Sequence, residues 1–99
     1  MKKKEKIWKF LERKGETVWC KKDYAKDKNG EYVSVGSKKA VAWCSLGLIQ
    51  KVYGIRKSGN LQCKIEEEFL PHIWSISRWN DSKSRKFSDV VKLFKKADL

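Results

Sequence analysis

Apolar side chains recur at Phe87, Val90, Val91, Phe94 and Ala97, with polar and charged residues between them. That spacing of three and four predicts an amphipathic helix. Asp89 near its start and Lys92, Lys95 and Lys96 toward its end suit the helix dipole. A second such pattern opens the chain. Ile7, Trp8, Phe10 and Leu11 fall on one broad face of a segment running from Lys2 to Lys14, and Gly15 stops it. Lys2, Lys3, Lys4, Lys6, Lys9, Arg13 and Lys14 cover the rest of that helix. Its short apolar stripe suits a surface helix facing the core better than a helix lying on anionic lipid.

The most apolar stretch is "AVAWCSLGLI", free of charge from Ala40 to Ile49. Ser37 before it suits a helix N-cap and Gly54 after it suits a stop, so a buried central helix is predicted over 37–54. Ala40, Cys44 and Gly47 give that helix a small-residue side. Gly47 inside a helix costs on the order of 1 kcal/mol relative to Ala, and close packing is the ordinary compensation. Leu61, Ile65 and Phe69 continue a helical stripe until Pro71, which disfavours helix at Leu70. Ile73, Trp74, Ile76 and Trp79 then pack inward, in helix or strand. Asn29-Gly30 followed by Tyr32, Val33 and Val35 marks a hairpin. The expectation is a mainly α, compact single domain over residues 1–99, with about four helices and one short β-hairpin near residues 24–35.

Composition sharpens this. Five Trp, four Phe and three Tyr in 99 residues point to a core built around aromatics. Twenty-four Lys and Arg against twelve Asp and Glu leave a net charge of +12. Such self-repulsion is easier to keep when the partner is acidic, although solubility alone also favours lysine. Lys far outnumbers Arg, which argues against bidentate base readers. No leader or membrane-length apolar run is seen, and three widely spaced cysteines suit reduced thiols in a cytoplasmic protein.

Catalytic and metal patterns are weak. His72 is the only histidine, so a Cys44–His72 arrangement with Asn80 or Asp81 is the one nucleophilic set that can be written. A cysteine in the most apolar run behaves as a small hydrophobe. No glycine-rich nucleotide loop or nucleophile elbow is present. Cys20, Cys44, Cys63 and His72 lack the paired-knuckle spacing of structural zinc. The "DKNG" loop falls short of a calcium site, because Ala25 and Gly36 take ligand positions. No catalytic residue, metal or cofactor is therefore assigned.

Short motifs carry a resemblance. Gly15, Trp19, Tyr24-Ala25, Asp27, Gly30, Ala40, Trp43-Cys44, Gly47, Trp79-Asn80-Asp81, Arg85 and Asp89-Val90 occur in order over nearly the whole chain. In this the sequence resembles a family of small uncharacterised bacterial and phage proteins with W-C-x-x-G-A and W-N-D motifs. Leu48 replaces the family's Ala, and Lys86 replaces a Thr suited to capping the last helix. The resemblance implies no activity; its phage and mobile-element setting favours a role in host interaction.

The leading expectation is a non-catalytic basic protein that binds nucleic acid or a nucleic-acid-containing complex. Lys2, Lys3, Lys6, Lys9 and Arg13 on the first helix would contribute. So would Arg78, Lys83, Arg85, Lys86, Lys92, Lys95 and Lys96 near the last, if the two helices lie side by side. Trp8, Trp19, Tyr24 or Tyr32 would stack a base if exposed. Trp79, Asn80 and Asp81 either close a turn or form the rim of a site beside Arg78 and Arg85. The alternatives are a mobile-element inhibitor or adaptor on an acidic host protein, and a small enzyme.

Overall fold

The computed structural model describes residues 5–73 and 75–99. Among them lie four α-helices: α1 (Ile7–Lys14), α2 (Ser45–Phe69), α3 (Ile76–Asp81) and α4 (Phe87–Ala97). A 3-10 turn, Glu16–Val18, follows α1. Two short strands, β1 (Ala25–Lys26) and β2 (Ala42–Trp43), pair antiparallel, with Ala25 opposite Trp43 and Lys26 opposite Ala42. The protein is mainly α, as its hydrophobic periodicity predicts.

The terminal helices pack on each other. Ile7 and Leu11 of α1 are wholly buried, as are Val90 and Phe94 of α4. Burying each such side chain contributes roughly 1.5–3 kcal/mol. The chain end adds polar links: the Trp8 N–H donates to the Leu99 carbonyl at 3.2 Å. Asp98 turns left-handed at the end of α4 (φ 56°), and the Leu99 N–H returns to the Phe94 carbonyl at 3.0 Å. At the other end of α4, Lys86 has no side-chain oxygen to cap with. The Asp89 carboxylate supplies the reciprocal half of a capping box, accepting from the Lys86 N–H at 2.9 Å.

The apolar stretch from Ala42 to Ile49 is buried throughout, but it is not one helix. Its first part is β2, and α2 begins at Ser45 instead of after Ser37. The backbone of Trp43 is held by pairing with Ala25, and its indole N–H donates to the Val35 carbonyl at 3.1 Å. Cys44 takes the N-cap, its sulfur accepting from the Gly47 N–H at 3.3 Å. Ser37 closes a local turn, its hydroxyl accepting from the Lys39 N–H at 3.1 Å. An apolar run of ten residues reports burial, and sheet pairing decides its backbone.

The Asn29-Gly30 hairpin forms with minimal length. Lys26 bridges Tyr32, the Asp27 N–H donates to Glu31, and the Val33 N–H donates to Ala25. The more extensive partner of β1 is β2, which arrives from a later part of the chain. Downstream, α2 is broken at Gly54, whose φ of 84° and ψ of 160° are open to glycine and poor for other residues. Pro71 ends α2 in a turn, and α3 starts where the Ser75 hydroxyl accepts from the Arg78 N–H at 3.2 Å. Glu66 spans the break by accepting from the Ile76 N–H at 2.8 Å. The described part of the segment left open between helix and strand is thus a turn and a short helix; Trp74, expected to pack inward, lies outside the described residues.

Gly47 has a specific reason to lack a side chain. A Cβ there would overlap the backbone carbonyl of Tyr24, which itself accepts from the Cys44 N–H at 3.2 Å. The first turn of α2 therefore presses directly on the strand before it. Gly59, in the same helix, has open space around it. Gly47→Ala should cost on the order of 2 kcal/mol through overpacking against backbone, lowering the thermal midpoint by roughly 10 °C. Gly59→Ala should raise it, by up to about 1 kcal/mol of helix propensity. Paired melting curves check both signs.

Candidate functional site

Three segments meet at Asn80. Its side chain is fully buried, yet every polar atom is used. The carbonyl oxygen Oδ1 accepts from the Trp19 indole N–H at 2.7 Å. It also accepts from the Ser45 N–H at 2.9 Å and the Ser45 hydroxyl at 2.6 Å. The amide nitrogen donates to the Cys20 carbonyl at 3.0 Å and to Asp81 Oδ1 at 3.1 Å. Asp81 Oδ1 in turn accepts from the Lys22 N–H at 2.7 Å. Lys22 sits at a φ of 76°, a strained value that this bond helps to hold.

Trp79 secures the other side. It is 6% exposed, its carbonyl accepts from Arg85 Nε at 2.8 Å, and the Arg85 guanidinium lies 4.1 Å from its ring centroid. Lys21 reaches the Ser82 carbonyl at 2.7 Å. The Trp79-Asn80-Asp81 motif is thus the end of α3 tied to the 19–22 segment and to the start of α2. Its aromatic and amide groups face inward. Trp19 and Ser45 take part in this knot without having been singled out as its partners. The signal lay in the chemistry: a buried indole N–H and a buried amide both require partners.

The chemical groups considered for catalysis lie apart in character. Cys44 is buried as a helix cap, whereas His72 is exposed in the turn after Pro71. Burial pushes the Cys44 thiol up, and burial, aided by the nearby Cys44, pushes Cys20 up to about 11. Such thiols are poor nucleophiles at neutral pH. Among the described residues no group of three or more His, Cys, Asp or Glu is placed to hold a metal ion.

The cations divide into two sets. Lys6 pairs with Asp98 at 3.5 Å, Arg13 with Glu5 at 2.7 Å, and Lys95 with Glu12 at 2.8 Å. Arg85 lies 3.9 Å from Asp89 and is also held by Trp79. Lys9, Arg78, Lys83, Lys86, Lys92 and Lys96 have no carboxylate partner among the described residues. Lys9 and Lys95 flank the half-buried Trp8 ring, at 5.4 and 5.2 Å from its centroid. Lys2 and Lys3 lie outside the described residues. A groove of about 230 Å³ runs between the end of α2 and α4. Phe69, Leu70, Trp79 and Leu93 contribute apolar surface to it; Arg85, Lys92, Lys96 and Asp89 are its charged members.

A family model matches residues 10–98 of the chain. The chain belongs to DUF6197, a family of unknown function. No curated protein and no solved structure matches the chain. In this DUF6197 chain no helix among the described residues is long and apolar enough to cross a membrane.

Asn80→Ala should strand the Trp19 indole, the Ser45 N–H and hydroxyl, and the Cys20 carbonyl. At about 1–3 kcal/mol for a stranded buried group, a loss of roughly 3–5 kcal/mol is expected, and Trp19→Phe should cost about 1–2. Chemical denaturation of both single variants and the double variant should show strong non-additivity. Thiol labelling gives an independent check. At pH 8, exposed Cys63 should react first and Cys20 on the order of 100-fold more slowly. Because the raised Cys20 thiol favours the folded state only while protonated, its contribution should be lost as pH rises from about 9 to 11.

Proposed function

We propose that this protein is a non-catalytic binding protein whose target is nucleic acid or a nucleic-acid-containing complex, met through the cationic surface of α4 and its approach loop. The observation that carries the reading is the arrangement of Arg85, Lys92 and Lys96 around one groove. Lys92 and Lys96 lack carboxylate partners among the described residues, and so do Lys86 and Lys83, which stand at and before the N-terminus of α4. The four lysines Lys83, Lys86, Lys92 and Lys96 each neutralise a phosphate at little desolvation cost, because they are exposed. Cations already paired, such as Lys6, Arg13 and Lys95, have to exchange one partner for another and contribute less.

Recognition of this kind follows charge and shape more than base sequence, since lysine is a point charge without the planar fork of arginine. The second reading is an adaptor or inhibitor docking on an acidic host protein. The apolar floor of the same groove, from Phe69, Leu70, Trp79 and Leu93, favours that reading. The resemblance to phage and bacterial proteins supports it further.

A salt titration of binding to single- and double-stranded DNA and RNA tests the proposal. Affinity should fall steeply with salt, and Lys92→Ala with Lys96→Ala should reduce the slope by about 1 per lysine. No binding at low salt would overturn it. A single stoichiometric protein recovered on nuclease-treated protein, lost in the same double variant, would establish the adaptor reading instead.

A further inference from the structure

A second basic surface lies away from the α4 groove, on the hairpin. Asp27, Lys28, Asn29, Lys38, Lys39 and Val41 line a hollow of about 440 Å³. Its one acid is already committed: Asp27 Oδ1 accepts from the Asn29 N–H at 2.9 Å and the Glu31 N–H at 3.0 Å, which shapes the turn. Lys28, Lys38 and Lys39 have no carboxylate partner among the described residues. The hairpin also carries exposed aromatic rings. Among the described residues Tyr32, opposite Lys26, is 62% exposed and Tyr24, just before β1, 45%, while Trp43 and Trp79 are below 9%.

The platform is held in shape before any ligand arrives. Lys26 lies between Tyr32 on one side and Ala42 on the other. The pairing of Lys26 with Tyr32 is of the closely spaced kind, because the flanking bonds run from Asp27 to Glu31 and from Val33 to Ala25. On the other side the Val41 N–H donates to the Lys26 carbonyl at 2.9 Å. Lys28 sits in the turn closed by the Gly30 N–H on the Asp27 carbonyl, and Lys38 and Lys39 in the turn closed by the Ala40 N–H on the Ser37 carbonyl, so hydrogen-bonded backbone carries all three.

We infer that this hairpin surface binds single-stranded nucleic acid, with Lys28, Lys38 and Lys39 on the phosphates and Tyr32, aided by Tyr24, stacking on unpaired bases. The inference rests on the nucleic-acid reading above and names the strand state. Stacking selects for it: the faces of bases in a duplex are already covered by their neighbours, so a protein ring reaches only a splayed base. A duplex would meet the lysines and leave the tyrosines unused.

The test is fluorescence anisotropy on the full chain. The probes are a labelled oligothymidylate of about twenty nucleotides, a duplex of the same length, and a labelled polyglutamate peptide. Both tyrosines and the three lysines are exposed, so the variants should keep the parent melting curve. Tyr32→Ala should weaken single-strand binding by about fivefold or more, leave the duplex unchanged, and be rescued by Tyr32→Phe. The combined Lys28→Ala, Lys38→Ala and Lys39→Ala variant should lower the single-strand salt slope by about 2. Unchanged binding in all these variants, with loss only in the Lys92→Ala, Lys96→Ala protein, would overturn this inference and leave the α4 reading standing. Equal losses on strand and duplex, or loss confined to polyglutamate, would overturn it as well. Failure of the parent protein to bind either oligonucleotide at low salt would remove both.

Discussion

The carbonyl oxygen of Asn80 accepts three hydrogen bonds in a place without exposure to water, and the packing of the middle of the chain hangs on it. Its donors come from Trp19, which follows α1, and from Ser45, which opens α2. Its amide reaches back to Cys20. One side chain on α3 therefore fixes the relative position of the post-α1 segment and the first turn of α2. In a low-dielectric interior such a network is favourable only when complete, because each missing partner leaves a costly desolvated group. The network is complete: no buried side-chain nitrogen or oxygen among the described residues lacks a partner.

The consequence reaches the surface. With the 19–22 segment tied to α3, Lys21 and Lys22 are drawn against Ser82 and Asp81, and the loop leading to α4 is held at its start. Arg85 then clamps that loop onto Trp79. The groove beside α4 has a fixed floor and a fixed cationic edge for this reason. The hairpin surface is held by a different device, the contact of Gly47 with the Tyr24 carbonyl, which seats the start of β1 on the first turn of α2. Both basic surfaces are thus displayed by a rigid interior made from small polar knots and one close backbone contact.

Net charge alone is a poor guide to where such a protein meets its target. The first helix carries as many cations as the last, yet Lys6 and Arg13 are paired with Asp98 and Glu5, and Lys95 reaches across to Glu12. Exposed pairs of this sort contribute little to stability, but they lower the charge available locally. The unpaired lysines of α4 and the hairpin, like Lys9 and Arg78, keep their charge for a partner. Lys28 is separated along the chain from Lys38 and Lys39 and becomes their neighbour only once the hairpin and the turn at 37–40 are closed.

The sequence by itself determined the helices that have an apolar face of their own. α4 is legible because periodic side chains and acidic and basic ends act within one segment, and the end of α1 because of its periodic side chains and the stop at Gly15; its start, expected at Lys2, falls at Ile7, with Glu5 and Lys6 outside the helix. The break at Pro71 and the turn at Asn29-Gly30 are equally local. Only the tertiary structure decided the backbone of Val41 to Cys44, because an apolar run satisfies burial as strand or helix and its hydrogen-bond partner, Ala25, lies far away in the chain. The same holds for Trp79-Asn80-Asp81. Its residue types announce that polar atoms need partners, but whether those partners are solvent, a ligand or the protein depends on what packs beside them. Here Trp19, Ser45, Cys20 and Lys22 do, and they are brought there by folding.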